Sequence, residues 1–459
     1  MTSFHSEVLL LLSLISLTSG LHVETSSFSQ MPFIIVWNAP TANCLTQYGV
    51  DLDLKMFNIV HNQNQTFTGE NITIFYEDKL GLYPRYSNQG VAINGGVPQN
   101  SSLNDHLRVA SANIRTYIPS SNFHGLAVVD WESWRPLWDR NWDTKQVYSE
   151  ASRALVSAKH PDWSPAQVDV EAQVQFEEAG TKFMEETLKL GKKERPNGLW
   201  GYYDYPSCYN YYSSESENYT GECPAVEIQR NNELFWLWNI SSALYPNIYL
   251  SPDLQDLGNE VPQYTRHRIL EAMRVRALVA PPVRPVYPYA RIAYTYTLEF
   301  LSQEHLVYTI GESAALGSAG VVLWGDSTFS KSQESCSDIN QYLRGPLSAY
   351  LLNVSTAAEL CSQTLCGSHG RCLRKNPDSG VYLHLNPLTH SIISQGGKLT
   401  VTGELGEAEK RSFQTDFKCQ CFSGYEGEDC RNGIATQITP SALQCVTFLI
   451  ISLLLVRAA

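Results

Sequence analysis

No long run of Lys or Arg occurs in this 459-residue chain, and Asp plus Glu (46) outnumber Lys plus Arg (33), for a formal charge of −13. Nucleic-acid binding draws on many cationic phosphate contacts, so nucleic acid is excluded as a partner. Any polyanionic ligand must instead meet local basic groups. The eleven cysteines include no CxxC pair, which argues against zinc ligation. No glycine-rich nucleotide fingerprint follows a strand: GESAALGSAG (311–320) precedes one and reads as the end of a packing helix and its turn. Neither a metal nor a cofactor is therefore expected. No apolar run reaches the roughly 20 residues of a spanning helix, and no repeat of solenoid period is visible.

What is present supports a large core: 43% of residues are hydrophobic, and the length suits two or three domains or one large barrel with an appendage. The 25 Tyr and 10 Trp suit stacking on sugar rings, and equally an ordinary core. The apolar stretch Val8 to Leu17, followed by Ser19-Gly20, reads as a signal peptide over 1–20, although its n-region lacks Lys and Arg. Six N-x-S/T sequons, at Asn64, Asn71, Asn100, Asn218, Asn239 and Asn353, fit a secreted chain. Small residues at Asn432-Gly433, a polar spacer and the apolar tail from Cys445 to Val456 match a glycosylphosphatidylinositol signal over 432–459, with a short membrane helix as the competing reading. The expected location is the extracellular face of the cell membrane through a lipid anchor, with a secreted or lysosomal form as the alternative. Cys445 lies in the tail that would be removed, leaving ten cysteines to pair in an oxidising compartment. The spacing Cys361-x4-Cys366-x5-Cys372, then Cys419-x-Cys421-x8-Cys430, is that of an EGF-like module.

Short apolar runs recur at 33–37, 72–76, 125–130, 198–203, 247–250, 289–294 and 320–325. Helical patterns fall between them, around 144–158, 231–243, 262–279, 303–317 and 336–349. The clearest starts at Ser164-Pro165, where Gln167 completes a capping box and Val168, Ala172, Phe176, Ala179 and Phe183 share one face. Alternation of strands and helices predicts an α/β fold, and about seven continuous apolar strands favour a closed (β/α) barrel over an open doubly wound sheet.

GLAVVDWESWRPLWDRNW (125–142) ends a strand in two carboxylates. In a barrel the site lies at the C-terminal ends of the strands. Strand alternation points Asp130 and Glu132 one way and Trp131 the other, with the carboxylates about 6–7 Å apart at the backbone. Like charges that close raise at least one pKa, as a general acid requires. Two carboxylates on the same side leave the opposite face of a sugar without a protein nucleophile, which suits attack by the substrate's own 2-acetamido oxygen. Glu132 would then protonate the leaving oxygen, while Asp130 held the acetamide N–H. The bland reading of D-x-E is a solvated strand end or an ion pair with Arg135 or Arg140.

These residues have company. LGLYPRY, NGGVPQN, GLAVVDWESWRPLWDRNWDTKQVY, HPDWSP, LWGYYDYPSCYN, NYTGECP, ALYPNIYL, GESAALGSAGVVLWGD and CSQTLCGSHGRC occur in that order, and the chain from about 31 to 430 closely resembles the animal hyaluronidase family, with a tail like that of its membrane-anchored, sperm-surface type members. The resemblance implies a distorted (β/α) TIM-like barrel over 31–355, a disulfide-rich EGF-like module over 356–431, and substrate-assisted retaining hydrolysis of β-1,4 links from N-acetylhexosamine to glucuronate in hyaluronan. It implies the bridges Cys44–Cys336, Cys208–Cys223, Cys361–Cys372, Cys366–Cys419 and Cys421–Cys430. It makes Glu132 the proton donor and Asp130 the acetamide-positioning group. Tyr203 would help hold the acetamide, Tyr249 would stand near the carboxylates, Trp324 would line the wall by the acetamido methyl, and Tyr83 would touch the groove. Arg85 and Arg135 are candidates for glucuronate carboxylates. The chain departs from the family pattern at Ser207, where many relatives have Asp, and at Thr295, where several do. Two alternatives remain: a catalytically weak hyaluronan-binding adhesion or receptor protein, and a hydrolase that prefers chondroitin.

Overall fold

The computed structural model describes residues 27–213 and 218–433. The expected signal peptide, and the tail beyond Gly433, lie outside the described residues. At the border, Asn432 and Gly433 pair with Tyr425 and Glu426.

Seven parallel strands build the barrel: β1 (Ile34–Asn38), β2 (Ile59–His61), β3 (Ile72–Phe75), β4 (Leu126–Val129), β5 (Leu199–Tyr202), β6 (Tyr289–Ala290) and β7 (Gly320–Trp324). They form two sheets, β2-β1-β7-β6 and β3-β4-β5. One gap is spanned by an eighth, irregular stave at 244–247. It bridges Tyr245 to Tyr203 on one side, and Leu244 to Val286 and Asn247 to Tyr289 on the other. Gly201 permits that approach, since a Cβ there would lie 2.3 Å from the Ala243 carbonyl.

The other gap, between β2 and β3, is joined by a side chain. Asn62, 1% exposed, accepts from the amides of Asn71 and Ile72 (both 3.1 Å) and donates to the carbonyls of Ile72 (2.7 Å) and Thr66 (2.8 Å). Buried backbone groups left without partners each cost on the order of 1–3 kcal/mol. We therefore expect Asn62→Ala to lower unfolding stability by about 3 kcal/mol, read by denaturant titration, from the unpaired groups in this seam. A variant as stable as the parent would show that the seam closes by other means.

The strands read as continuous apolar runs because both faces are covered. Ile34, Val36, Ile74, Leu126, Val128, Tyr245, Tyr289 and Val322 fill the barrel interior. The alternate residues pack outward, Ile35, Trp37, Val321 and Leu323 in one cluster and Ala127, Val129, Trp200 and Tyr202 in another.

Helices α1 (Leu103–Tyr117), α2 (Gln146–Lys159), α3 (Pro165–Glu194) and α4 (Glu260–Ala277) lie among the covering elements, and α5 (Ser348–Leu365) leads out of the barrel. α3 starts at the Ser164–Gln167 capping box and buries Val168, Ala172, Phe176 and Phe183; Ala179 is half-buried. Sequence periodicity missed α1 and β2, the latter only three residues long. The helix expected over 231–243 is two, Ala225–Glu233 and Phe235–Ile240. The one expected over 336–349 ends at Tyr342; beyond the non-helical Gly345 and Pro346, α5 begins. The boundary expected at 355/356 falls inside α5, which runs unbroken across it.

The bridges are Cys44–Cys336, Cys208–Cys223, Cys361–Cys372, Cys366–Cys419 and Cys421–Cys430. The last three tie together a hairpin-rich segment, including Gly370–Arg374 paired with Phe417–Cys421. A buried ion triad fastens that segment to the barrel: Glu312, fully buried, lies 2.7 Å from Arg266 Nε and 3.2 Å from Arg374 Nη1. Of the sequons, Asn64, Asn100, Asn218 and Asn239 are exposed. Asn71 and Asn353 are half-buried, their amides engaged with the His61 carbonyl and the Leu385 N–H. Among the described residues no helix is long and apolar enough to cross a membrane.

Candidate active site

β4 delivers the carboxylates. The Asp130 N–H donates to the Phe75 carbonyl (2.9 Å), so sheet pairing extends to the residue where the chain turns into the cavity. Asp130 is 8% exposed, whereas the Glu132 side chain is 53% exposed. Both line a cavity of about 380 Å3. Trp131 faces away, stacked on Tyr83 (4.6 Å) beside Tyr202 and His106. Alternation along one strand thus separates chemistry from packing.

The rest of the lining comes mostly from other strand ends: Ile74, Tyr76, Glu77 and Asp78 at β3, Tyr203 after β5, Tyr249, Tyr289 in β6 and Trp324 in β7, with Arg85 from a nearby hairpin. Trp324 donates its indole N–H to the Tyr76 hydroxyl (2.9 Å) and stacks on Tyr249 (5.8 Å), with the Arg291 guanidinium 5.0 Å over its ring. Asn247 donates to the Tyr203 hydroxyl (2.9 Å). Burial holds the Tyr203 and Tyr249 phenols well above their ordinary pKa, so both remain neutral hydroxyls available for hydrogen bonding.

The electrostatics divide the pair. Burial first, and the neighbouring Glu132 charge second, raise the Asp130 pKa well above the usual carboxylate range; Arg135 offsets part of this. Asp130 Oδ1 is buried and has no hydrogen-bond partner among the described residues. Lys145 donates to the backbone carbonyls of Glu132 and Ser133, and burial lowers its pKa to about 8.

Two expected substrate contacts are corrected. Tyr83 is 1% exposed and lies between Trp131 and Trp134 (4.6 and 5.3 Å); it supports the carboxylate turn from behind and does not line the cavity. Arg135 is 5% exposed, 3.1 Å from Asp204 and 3.6 Å from Glu132, and also lies off the cavity lining. Its charge is needed behind the acids and is held there by Asp204 and the Tyr205 ring. Ser207 likewise sits behind the site, donating to the Asp204 carbonyl (2.8 Å), at a residue with φ +60°. Glu77 and Asp78 went unnoticed in YEDKL, although the strand-end rule applied to Asp130 covers them equally. Lys145 carried no signal. No group of three or more His, Cys, Asp or Glu among the described residues is arranged to hold a metal.

With this geometry in view, comparison with known proteins is informative. The glycoside hydrolase 56 family profile, described as hyaluronidase, matches residues 22–434. Human hyaluronidase-4 is 47% identical over 407 residues, covering 88% of this chain and 84% of that one. A hyaluronidase of Crotalus adamanteus is 44% identical, covering 90% of this chain and 94% of its own length. The crystal structure of bee venom hyaluronidase in complex with a hyaluronic acid tetramer superposes with a TM-score of 0.64 at 34% identity, covering 70% of this chain and 98% of that one. This chain belongs to the hyaluronidase family.

Proposed function

We propose that the protein is an endo-β-N-acetylhexosaminidase that hydrolyses β-1,4 links of hyaluronan by substrate-assisted, retaining catalysis. The observation that carries this reading is the adjacent pair Asp130 and Glu132, projecting from one strand end into a single cavity walled by Tyr203, Tyr249 and Trp324. The acetamido oxygen of the bound sugar attacks its own anomeric carbon from the far side. The C1–O bond breaks, and the Glu132 carboxyl gives its proton to the departing oxygen. Asp130, which lines the same cavity, accepts the acetamide N–H and balances the positive charge of the cyclic intermediate. Water then adds at C1, returns a proton to Glu132, and the ring reopens with the original configuration.

The pair works with one proton between two acids. Burial and the neighbouring Glu132 charge raise the Asp130 pKa; the bound acetamide N–H favours the Asp130 anion, while the wetter Glu132 faces the leaving oxygen. Tyr203 donates to the acetamide and Trp324 packs on its methyl. Residues 31–355 serve as the catalytic barrel, and 356–431 as an EGF-like module, which the three bridges between Cys361 and Cys430 support. The sequons and the apolar tail support a lipid-anchored protein at the extracellular face.

The test is an assay of new reducing ends on hyaluronan and chondroitin side by side, from acidic to neutral pH. We expect N-acetylhexosamine ends from hyaluronan, and the chondroitin arm measures the preference. Tight binding of both polymers without cleavage would refute the enzyme and leave a glycan-binding protein.

A further inference from the structure

Four of the side chains lining the cavity are carboxylates, Glu77, Asp78, Asp130 and Glu132, and one is cationic, Arg85. A polymer with a carboxylate on every second sugar is repelled by such a surface unless that cation is offered to it. Arg85 is built for the purpose. Its backbone sits in a two-residue hairpin, paired with Ile93. The preceding Pro84 carbonyl accepts from Trp134 Nε1 (2.8 Å), and the next amide, of Tyr86, donates to the Tyr148 hydroxyl (3.3 Å).

Its side chain, 24% exposed, is ion-paired with Glu77, Nε lying 3.3 Å from Glu77 Oε2. Glu77 accepts a hydrogen bond from the Ser133 hydroxyl, and Ser133 is the residue after Glu132. Glu77 is the one ion-pair partner of Arg85 among the described residues, so the guanidinium has hydrogen-bonding capacity left for a ligand. A guanidinium gripped through Nε presents its outer N–H groups as a fork that matches a carboxylate bidentately.

We propose that Arg85 reads the uronate carboxylate of the substrate, and that Glu77 and Ser133 position it relative to the acid. This rests on the cavity being a hyaluronan-hydrolysing site and adds to it the group that recognises the acidic sugar. Arg85 is the contact; Glu77 is a positioning residue, setting the span from the uronate to Glu132 through Ser133.

The experiment compares hyaluronan with hyaluronan whose carboxyl groups have been reduced to alcohols, by steady-state kinetics and by calorimetric binding of hexasaccharides in a Glu132→Gln background. Arg85→Met is expected to weaken binding of native hexasaccharide by about tenfold, the scale of a charged hydrogen-bonding contact, and to bring the KM ratio between the two polymers towards one. Arg85→Lys should fall between, having charge without the fork. Glu77→Gln should raise KM for native polymer more than it lowers kcat. Unchanged native binding in Arg85→Met, or equal losses on both polymers, overturns the proposal. Absence of cleavage by the unaltered protein refutes the hydrolase reading while the binding arms still decide on Arg85; binding of neither hexasaccharide refutes both.

Discussion

Glu132→Gln loses hyaluronan cleavage by about a thousandfold, the scale of a positioned general acid, while the barrel stays intact. The side chain is half in water and its ion-pair partner Arg135 keeps Asp204 at 3.1 Å. Stability should therefore stay within about 0.5 kcal/mol of the parent, as for most exposed substitutions. Glutamine retains the shape and hydrogen-bonding capacity of the acid but has no proton to give, so substrate affinity survives. Reducing-end formation and a hyaluronan-binding isotherm on the same preparation check this. A variant that cleaves at the parental rate would remove Glu132 from the chemistry.

Asp130→Asn is expected to cost about a hundredfold in kcat with a smaller change in KM, because the charge it removes is needed most when the cyclic intermediate forms. A further readout, stability, separates this from simple damage. Asp130 has a raised pKa in the fold, so the stability of its neutral form is fully present below the ordinary carboxylate value and is lost as pH rises through the folded value. Asparagine is neutral throughout, and the melting temperature at neutral pH should equal or exceed that of the parent.

The contrast between these residues and Arg85 marks how far the chain could be read unaided. Ser164 and Gln167 announced the start of α3 because a cap is a contact between residues three apart. The apolar strands β1, β3, β4, β5 and β7 stood out because both their faces are covered. β2 did not, being too short to carry a period, and the run read at 247–250 marked the eighth stave but placed it three residues late, its bridges falling at 244–247. The Asn62 seam was invisible, since nothing in that asparagine reveals that two strands will fail to meet beside it. The same holds for Tyr83 and Arg85, two residues apart in LYPRY: one is sealed between tryptophans and the other opens onto the cavity.

By itself the sequence determined that an acidic, disulfide-bridged α/β chain would end one buried strand with Asp130 and Glu132 on the same side, because a strand's alternation is a local rule needing no partner. The tertiary structure alone decided which acid is dry and which is wet, that Arg135 serves the acids from behind, and that Arg85 faces the cavity under the grip of Glu77. Burial and charge balance arise where segments far apart in the chain are packed together, and no local pattern encodes them.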